Sequence, residues 1–333
     1  MVKETEAVVF TEPYKVDFIK LSLPEPGPTD VAVRTLYSGI SIGTERWWLT
    51  GRYNHCGEAV DRYYPYVPGY QRSGIVEALG AEVTSLAIGD RVFSRGGKVN
   101  DPDLMRKGWF GHSGYVVIPE DSAWKLGSSA DMEEASLWQM PAVGAHGVRL
   151  TRVQDGELVV VIGQGMIGQL SAQMARLRGA TVIATDLVQK RVELSAQYSA
   201  DIAVNNQNVD VSDVIRSIQR EGADVVIDTS GNSRLFDYCR DLIRYEGRIC
   251  LQGYYPEPFQ IDFHPTHEKR ATVTFPCGRE DPSSIIPLLN RHKVKIKPLI
   301  THRFPIIQAK EAYDLVLNHA EEAVGIVIDW TQQ

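Results

Sequence analysis

One stretch limits the folds open to this chain: Leu158-Val-Val-Val-Ile162, followed at once by Gly163-Gln-Gly165-Met166-Ile167-Gly168. Five apolar residues in a row, four of them β-branched, describe a strand buried on both faces, as in a parallel sheet. Ile167, Leu170, Met174 and Leu177 then recur at helical spacing until Gly179 stops the run. A second strand, Thr181 to Thr185, ends in Asp186, eighteen residues after Gly168.

Each part of this pattern has a chemical job. Gly163 permits the tight turn off the strand. Gly165 removes a side chain where a pyrophosphate would approach the backbone, and Gly168 lets the helix pack close to the strand. The N–H groups at the helix start, those of Met166 and Ile167 included, meet phosphates with the positive end of the helix dipole. Asp186 would accept hydrogen bonds from the adenosine ribose hydroxyls and repel a 2′-phosphate, so the pattern predicts NAD(H) rather than NADP(H). The alternative is that the glycines serve only a tight β–α turn.

The chain has 333 residues, enough for two domains or one elaborated α/β unit. A net charge of −7 and a pI of about 5.7 argue against nucleic acid as a partner. No apolar run reaches the roughly twenty residues of a membrane span, and the polar start Met1-Val-Lys-Glu-Thr-Glu6 has no signal-peptide core. Cys56, Cys239, Cys250 and Cys277 are scattered with no C-x-x-C pair, which suits buried thiols in a reduced, cytoplasmic enzyme.

Residues 1 to about 140 are β-rich, with Ala7–Phe10, Val31–Leu36, Gly74–Leu79, Arg91–Ser94 and Gly114–Ile118 as short strands between Pro and Gly turns. This suggests a partly open barrel. The tyrosine-rich stretch Gly51–Tyr66, which also holds His55, reads as a long loop suited to substrate contacts. From about Met140 strands and helices alternate: 224–228, 248–252 and 272–275 are strands, and 188–199, 210–220, 233–244 and 282–289 are helices. The expected fold is α/β, with a doubly wound parallel sheet, and a helix at 308–319 and a strand at 324–328 close the chain. Gly231 and Gly253 follow strand ends, where such sheets place ligands, and Thr229 and Ser230 are candidates for the nicotinamide ribose.

The order of parts resembles the medium-chain dehydrogenase/reductase superfamily over essentially the whole chain. The matching text is Pro26-Gly-Pro-Thr-Asp-Val31, Gly43-Thr-Glu45, Pro68-Gly-Tyr70, Ile88-Gly-Asp-Arg-Val92, Pro141-Ala-Val-Gly-Ala-His146, the glycine motif and Asp228-Thr-Ser-Gly231. The resemblance implies a GroES-like barrel domain over 1–143, a Rossmann NAD(H)-binding domain over 144–298, and a segment over 299–333 that returns to the first domain. It implies a small-molecule substrate and a homodimer or homotetramer. Arg191 resembles the basic residue such enzymes place near the adenosine ribose. Ser38-Gly-Ile-Ser41 with Pro68-Gly-Tyr70 is most similar to a branch that includes a dehydrogenase of the hydroxyethyl group of bacteriochlorophyllide a.

The departures from the zinc-dependent members fall on the metal ligands. Their catalytic cysteine corresponds to Ser41 or Ile42, their histidine-glutamate pair to Tyr70-Gln71, and their third ligand falls near Gln139. Ser, Tyr and Gln are poor replacements for thiolate, imidazole and carboxylate, so no zinc is expected. The alternative is a relocated site built from His55, His112 or His146. Without a metal, hydrogen-bond donors must steady the substrate oxygen. Tyr70 is the first candidate; as a base at neutral pH it would need a lowered pKa. Thr44 matches the superfamily's relay hydroxyl, and Ser41 and Gln71 are further candidates. Trp47 is read as a pocket wall or core residue. Glu45 orients its loop or meets a basic side chain, and His146 is either a substrate contact or a structural histidine. His112 is expected at the surface, and His264 and His267 are read as structural.

The sequence therefore points to a zinc-independent, NAD(H)-dependent alcohol dehydrogenase or ketone reductase. Its substrate would be a secondary alcohol: a sugar, a cyclitol or a hydroxyethyl-bearing ring. The alternatives are an NADPH-dependent quinone or enone reductase and a non-catalytic NAD(H)-binding sensor.

Overall fold

The structure is a computed structural model and describes residues 2–53, 64–255 and 257–332. It divides into two compact units. The first comprises Met1–Trp138, Pro282–Lys293 and Ile300–Gln333; the second comprises Gln139–Asp281 and Val294–Leu299.

The first part of the chain forms seven strands: β1 (Glu4–Glu12), β2 (Lys15–Ser22), β3 (Asp30–Ile40), β4 (Arg72–Leu79), β5 (Arg91–Ser94), β6 (Tyr115–Pro119) and β7 (Ala123–Lys125). All five strands read from the sequence are present. The two additions have weak signals: β2 carries charges between its apolar residues, and β7 is three residues long.

The second unit contributes β8 (Leu158–Ile162), β9 (Thr181–Asp186), β10 (Ile202–Asn205), β11 (Ala223–Asp228), β12 (Ile243–Leu251) and β13 (Thr272–Thr274). They form one sheet in the order β10-β9-β8-β11-β12-β13, parallel at every pairing. β8 is central and buried along its whole length, which is why it is apolar without alternation. β10, an edge strand of four half-buried residues, was not legible in the sequence pattern. Order and direction are those of a Rossmann sheet, with the ligand edge at the carboxyl ends of β8, β9 and β11.

The chain then returns to the first unit with β14 (Ile300–Pro305) and β15 (Gly325–Asp329). These extend a seven-stranded sheet ordered β14-β15-β3-β4-β5-β7, and β6 pairs with β3. Val31, Val33, Val76, Val92, Val116 and Ile118 make one of its cores.

The observed division differs from the expected one at 143 and 298. Residues 282–293 join the first unit early: the Gly127 N–H donates to the Asn290 side-chain oxygen at 3.0 Å, and the Ser129 hydroxyl to the Asn290 carbonyl at 2.9 Å. Val294–Leu299 belongs to the second unit because buried Gln173 both donates to and accepts from the Lys295 backbone. Among the described residues no helix is long and apolar enough to cross a membrane.

Candidate active site

In the second unit, β8 runs into a turn at Gly163, whose φ is +83°. Gly165 is the N-cap of the helix Met166–Leu177, and no side chain caps that end. A Cβ at Gly165 would meet nothing within 4 Å, so the approach to the N–H groups of the first turn is open. A Cβ at Gly168 would lie 1.8 Å from the Gly163 carbonyl oxygen. Only glycine lets the helix start this close to the strand.

Asp186 ends β9 beside this turn. One carboxylate oxygen accepts the Gln164 N–H at 2.6 Å, the other the Val188 N–H at 2.8 Å, and the Arg191 guanidinium lies 3.9 Å away. Asp186 thus braces the glycine turn, and each oxygen keeps a lone pair for a ribose hydroxyl. Beyond it, a cavity of about 450 Å³ is lined by Asn206, Gln207, Asn208, Leu235 and Tyr238. Its edge is tied in place by the Asn206 N–H, which donates to the Asp186 carbonyl at 3.4 Å.

The β11 end differs in part from expectation. The Thr229 hydroxyl donates to the Ile162 and Gly163 carbonyls, at 3.0 and 2.8 Å, and so holds the turn. Ser230 is exposed, and Gly231 and Gly253 come so close that a Cβ on Gly253 would lie 2.7 Å from the Gly231 nitrogen. Asp228 was not singled out from the sequence. It is fully buried and accepts from the Ser230 N–H and the Tyr255 hydroxyl, both at 2.9 Å; burial pushes its carboxyl above the usual range. The signal for it was an acid closing a buried strand, as Asp186 does.

In the first unit, β3 ends at Ile40, and Ser41 is the N-cap of the helix Ile42–Leu49. This places Ser41 and Thr44 at the start of the helix, and their hydroxyls are among the polar groups that act on the Tyr70 phenol. The Tyr70 ring sits edge-on to Trp109, with centroids 5.2 Å apart. Trp109 belongs to an aromatic cluster in which Trp48 stacks on Tyr53 and Tyr66. Burial pushes the Tyr70 phenol well above its ordinary value. The two hydroxyls oppose that rise, and the charge of Glu45 adds to it. At neutral pH Tyr70 is therefore a hydrogen-bond donor and not a base.

Other candidates take structural positions. Glu45 is 1% exposed, too buried to touch substrate. It accepts the Ser41 N–H at 2.8 Å and meets His112 at 2.9 Å, and Tyr313 also donates to it. His112, expected at the surface, is fully buried; Gly69 makes room for it, since a Cβ there would lie 2.7 Å from the imidazole. Gln71 is fully buried, and its amide donates to the Gly39 carbonyl at 3.3 Å. Trp47 is half-buried, with the Arg52 guanidinium over its ring. In the second unit, His146 and Arg149 share Glu280, at 2.9 and 2.7 Å, which fixes the imidazole through its Nδ1. His264 and His267 lie on an exposed helix, Phe263–Glu268. His55 lies outside the described residues, as does most of the loop assigned to substrate contacts.

The donor set does not fit a catalytic zinc. At the family's ligand positions stand a hydroxyl, a phenol held neutral and a carboxamide, where zinc takes thiolate, imidazole or carboxylate. Both His112 ring nitrogens are engaged, by Ser38 and Glu45. Among the described residues, one group of His, Cys, Asp and Glu could hold an ion: His319, Glu321 and Glu322, all exposed.

Fold and glycine turn define a nucleotide-dependent oxidoreductase class. Residues 27–128 match the family described as alcohol dehydrogenase GroES-like domain, and residues 167–291 that described as zinc-binding dehydrogenase. D-xylulose reductase of Saccharomyces cerevisiae is 30% identical over 97% of both chains. Sorbitol dehydrogenase of Halalkalibacterium halodurans is 29% identical over 92% of this chain and 93% of its own. An Escherichia coli oxidoreductase/dehydrogenase of unknown specificity shares the fold, with a TM-score of 0.85 at 21% identity over 98% of this chain and 99% of its own. The chain belongs to the medium-chain dehydrogenase/reductase superfamily.

A Gly168→Ala variant drives a methyl into the Gly163 carbonyl. It is expected to weaken NADH binding by about tenfold or more in a fluorescence titration while the circular dichroism spectrum stays native. Unchanged affinity would contradict the role of that close approach.

Proposed function

We propose that this protein is an NAD(H)-dependent, zinc-independent oxidoreductase acting on a secondary alcohol or its ketone. The observation that carries the reading is the residue set, a Ser41 hydroxyl and a Tyr70 phenol that burial keeps neutral, at positions where zinc members of the superfamily hold their metal. NADH, when bound, supplies the hydride. Tyr70 donates a hydrogen bond to the carbonyl oxygen and then its proton, stabilising the charge that develops there. The phenolate left behind takes a proton back from solvent, with the Ser41 and Thr44 hydroxyls as candidate relays. In alcohol oxidation the carbinol proton passes to a Tyr70 phenolate, which forms only as the pH rises, and from there to solvent.

Asp186 supports NAD(H) over NADP(H), because its carboxylate is fixed by two backbone N–H groups and would face a 2′-phosphate. The same feature weighs against a quinone or enone reductase that uses NADPH. The adenine ring fits the cavity beyond Asn206. The relatives named D-xylulose reductase and sorbitol dehydrogenase favour a polyol or its ketose as substrate. Trp47, with part of its ring exposed, offers a flat surface to sugar CH faces.

The second unit is proposed to pair with a second copy along β13. This strand ends the described sheet, and Phe275, which follows it directly, is 63% exposed. Sedimentation velocity is expected to give at least a dimer mass, which Phe275→Glu reduces; a monomeric wild type would refute the pairing.

The catalytic reading is tested with Tyr70→Phe. Turnover of D-xylulose or a wider ketose panel with NADH should fall about a hundredfold or more, with NADH affinity retained. Full turnover in the variant would remove Tyr70 from the mechanism. No turnover by the wild type on any substrate would favour a sensor.

A further inference from the structure

Arg72 is a buried cation with no countercharge among the described residues. It opens β4 directly after Tyr70-Gln71 and is 0% exposed. Arginine keeps its proton in proteins, so the positive charge is present at neutral pH even though burial lowers its pKa to about 9. Its guanidinium makes one hydrogen bond, from Nη2 to the Gly96 carbonyl. Nε and Nη1 are buried and have no partner.

A second unpartnered group stands on the neighbouring strand. Arg72 pairs with Ser94 across β4 and β5, so the two side chains share one face of the sheet. Ser94 is fully buried, and its hydroxyl also has no partner. On the other side Arg72 pairs with Ser38, whose hydroxyl is engaged by His112 and Trp330, both at 2.8 Å. The backbone that Arg72 holds borders open space: Gly96 has a φ of +74°, and a Cβ there would meet nothing within 4 Å. Arg95 adds a second cation just before it, its guanidinium lying over the Trp124 ring.

We propose that Arg72 and Ser94 form a buried site for one small monovalent anion, a halide or a carboxylate group. One of the two Nη2 protons goes to Gly96. The other lies parallel to the Nε proton or to an Nη1 proton, so one two-proton fork stays open. An anion there would take that fork and the Ser94 hydroxyl proton. Water accepts the same protons but brings no charge, and a lone buried cation is costly. The bound anion would tie the start of β4 to the Gly96 turn. The site stands apart from the proposed reaction and does not depend on the role given to Tyr70.

The test uses full-length protein in a buffer whose anions are bulky sulfonates, with sodium chloride or sodium acetate as the probe. The thermal midpoint of the wild type should rise with probe concentration as one-site linkage requires. Arg72→Met, which removes the charge and keeps an apolar chain, should lose that dependence. Ser94→Ala should need about tenfold more probe for the same rise. A response to chloride alone assigns the site to a halide, and a response to acetate assigns it to a carboxylate. A wild type that responds no differently from Arg72→Met overturns the proposal, as does a Ser94→Ala protein that titrates with the wild type. Should Arg72→Met not fold, a bromide-soaked crystal decides. An anomalous peak beside Arg72 Nε or Nη1 supports the site, and a water there in its place overturns it.

Discussion

The nucleotide end of the molecule depends on one close approach, where the backbone at Gly168 passes the Gly163 carbonyl with no room for a methyl. Because the helix Met166–Leu177 starts so near the strand, its N–H groups point past the carboxyl end of β8. The neighbours reinforce the turn. Thr229 holds the Ile162 and Gly163 carbonyls, and Asp186 holds the Gln164 N–H. The groups that shape the glycine turn and the acid proposed to select the ribose are thus neighbours in one hydrogen-bonded set.

The hydroxyl cluster of the first unit follows a different logic. A zinc ion would draw charge from a substrate oxygen as a Lewis acid. In the proposed reaction that work falls to hydrogen-bond donors. Burial pushes the Tyr70 phenol above its ordinary value and keeps it neutral. Glu45 is held in turn by partners from three separate parts of the first unit: Ser41 on its own helix, His112 before β6, and Tyr313 on the helix Ala309–Asn318.

What was legible in the sequence was local. The run Leu158–Ile162, the spacing of Gly163, Gly165 and Gly168, and the terminal Asp186 all lie within thirty residues, and their burial and geometry follow the pattern. Ser41, Thr44 and Tyr70 could be paired by family resemblance, although 26 residues separate the last two. The Glu45 network was not legible. Tyr313 is 268 positions from Glu45, and His112 looked like a surface residue because only the fold shows that Gly69 leaves space for its ring. Thr229 and Gln71 stood in the right places, but their hydrogen bonds go to backbone carbonyls, which residue type alone does not reveal.

The most direct measurement is calorimetric titration of NADH and of NADPH into protein whose metal content has been determined. The account predicts tight NADH binding, NADPH at least about a hundredfold weaker, and turnover without stoichiometric zinc. A preference for NADPH would contradict the role given to Asp186. Activity that disappears with a chelated zinc ion would contradict a reaction centred on Tyr70.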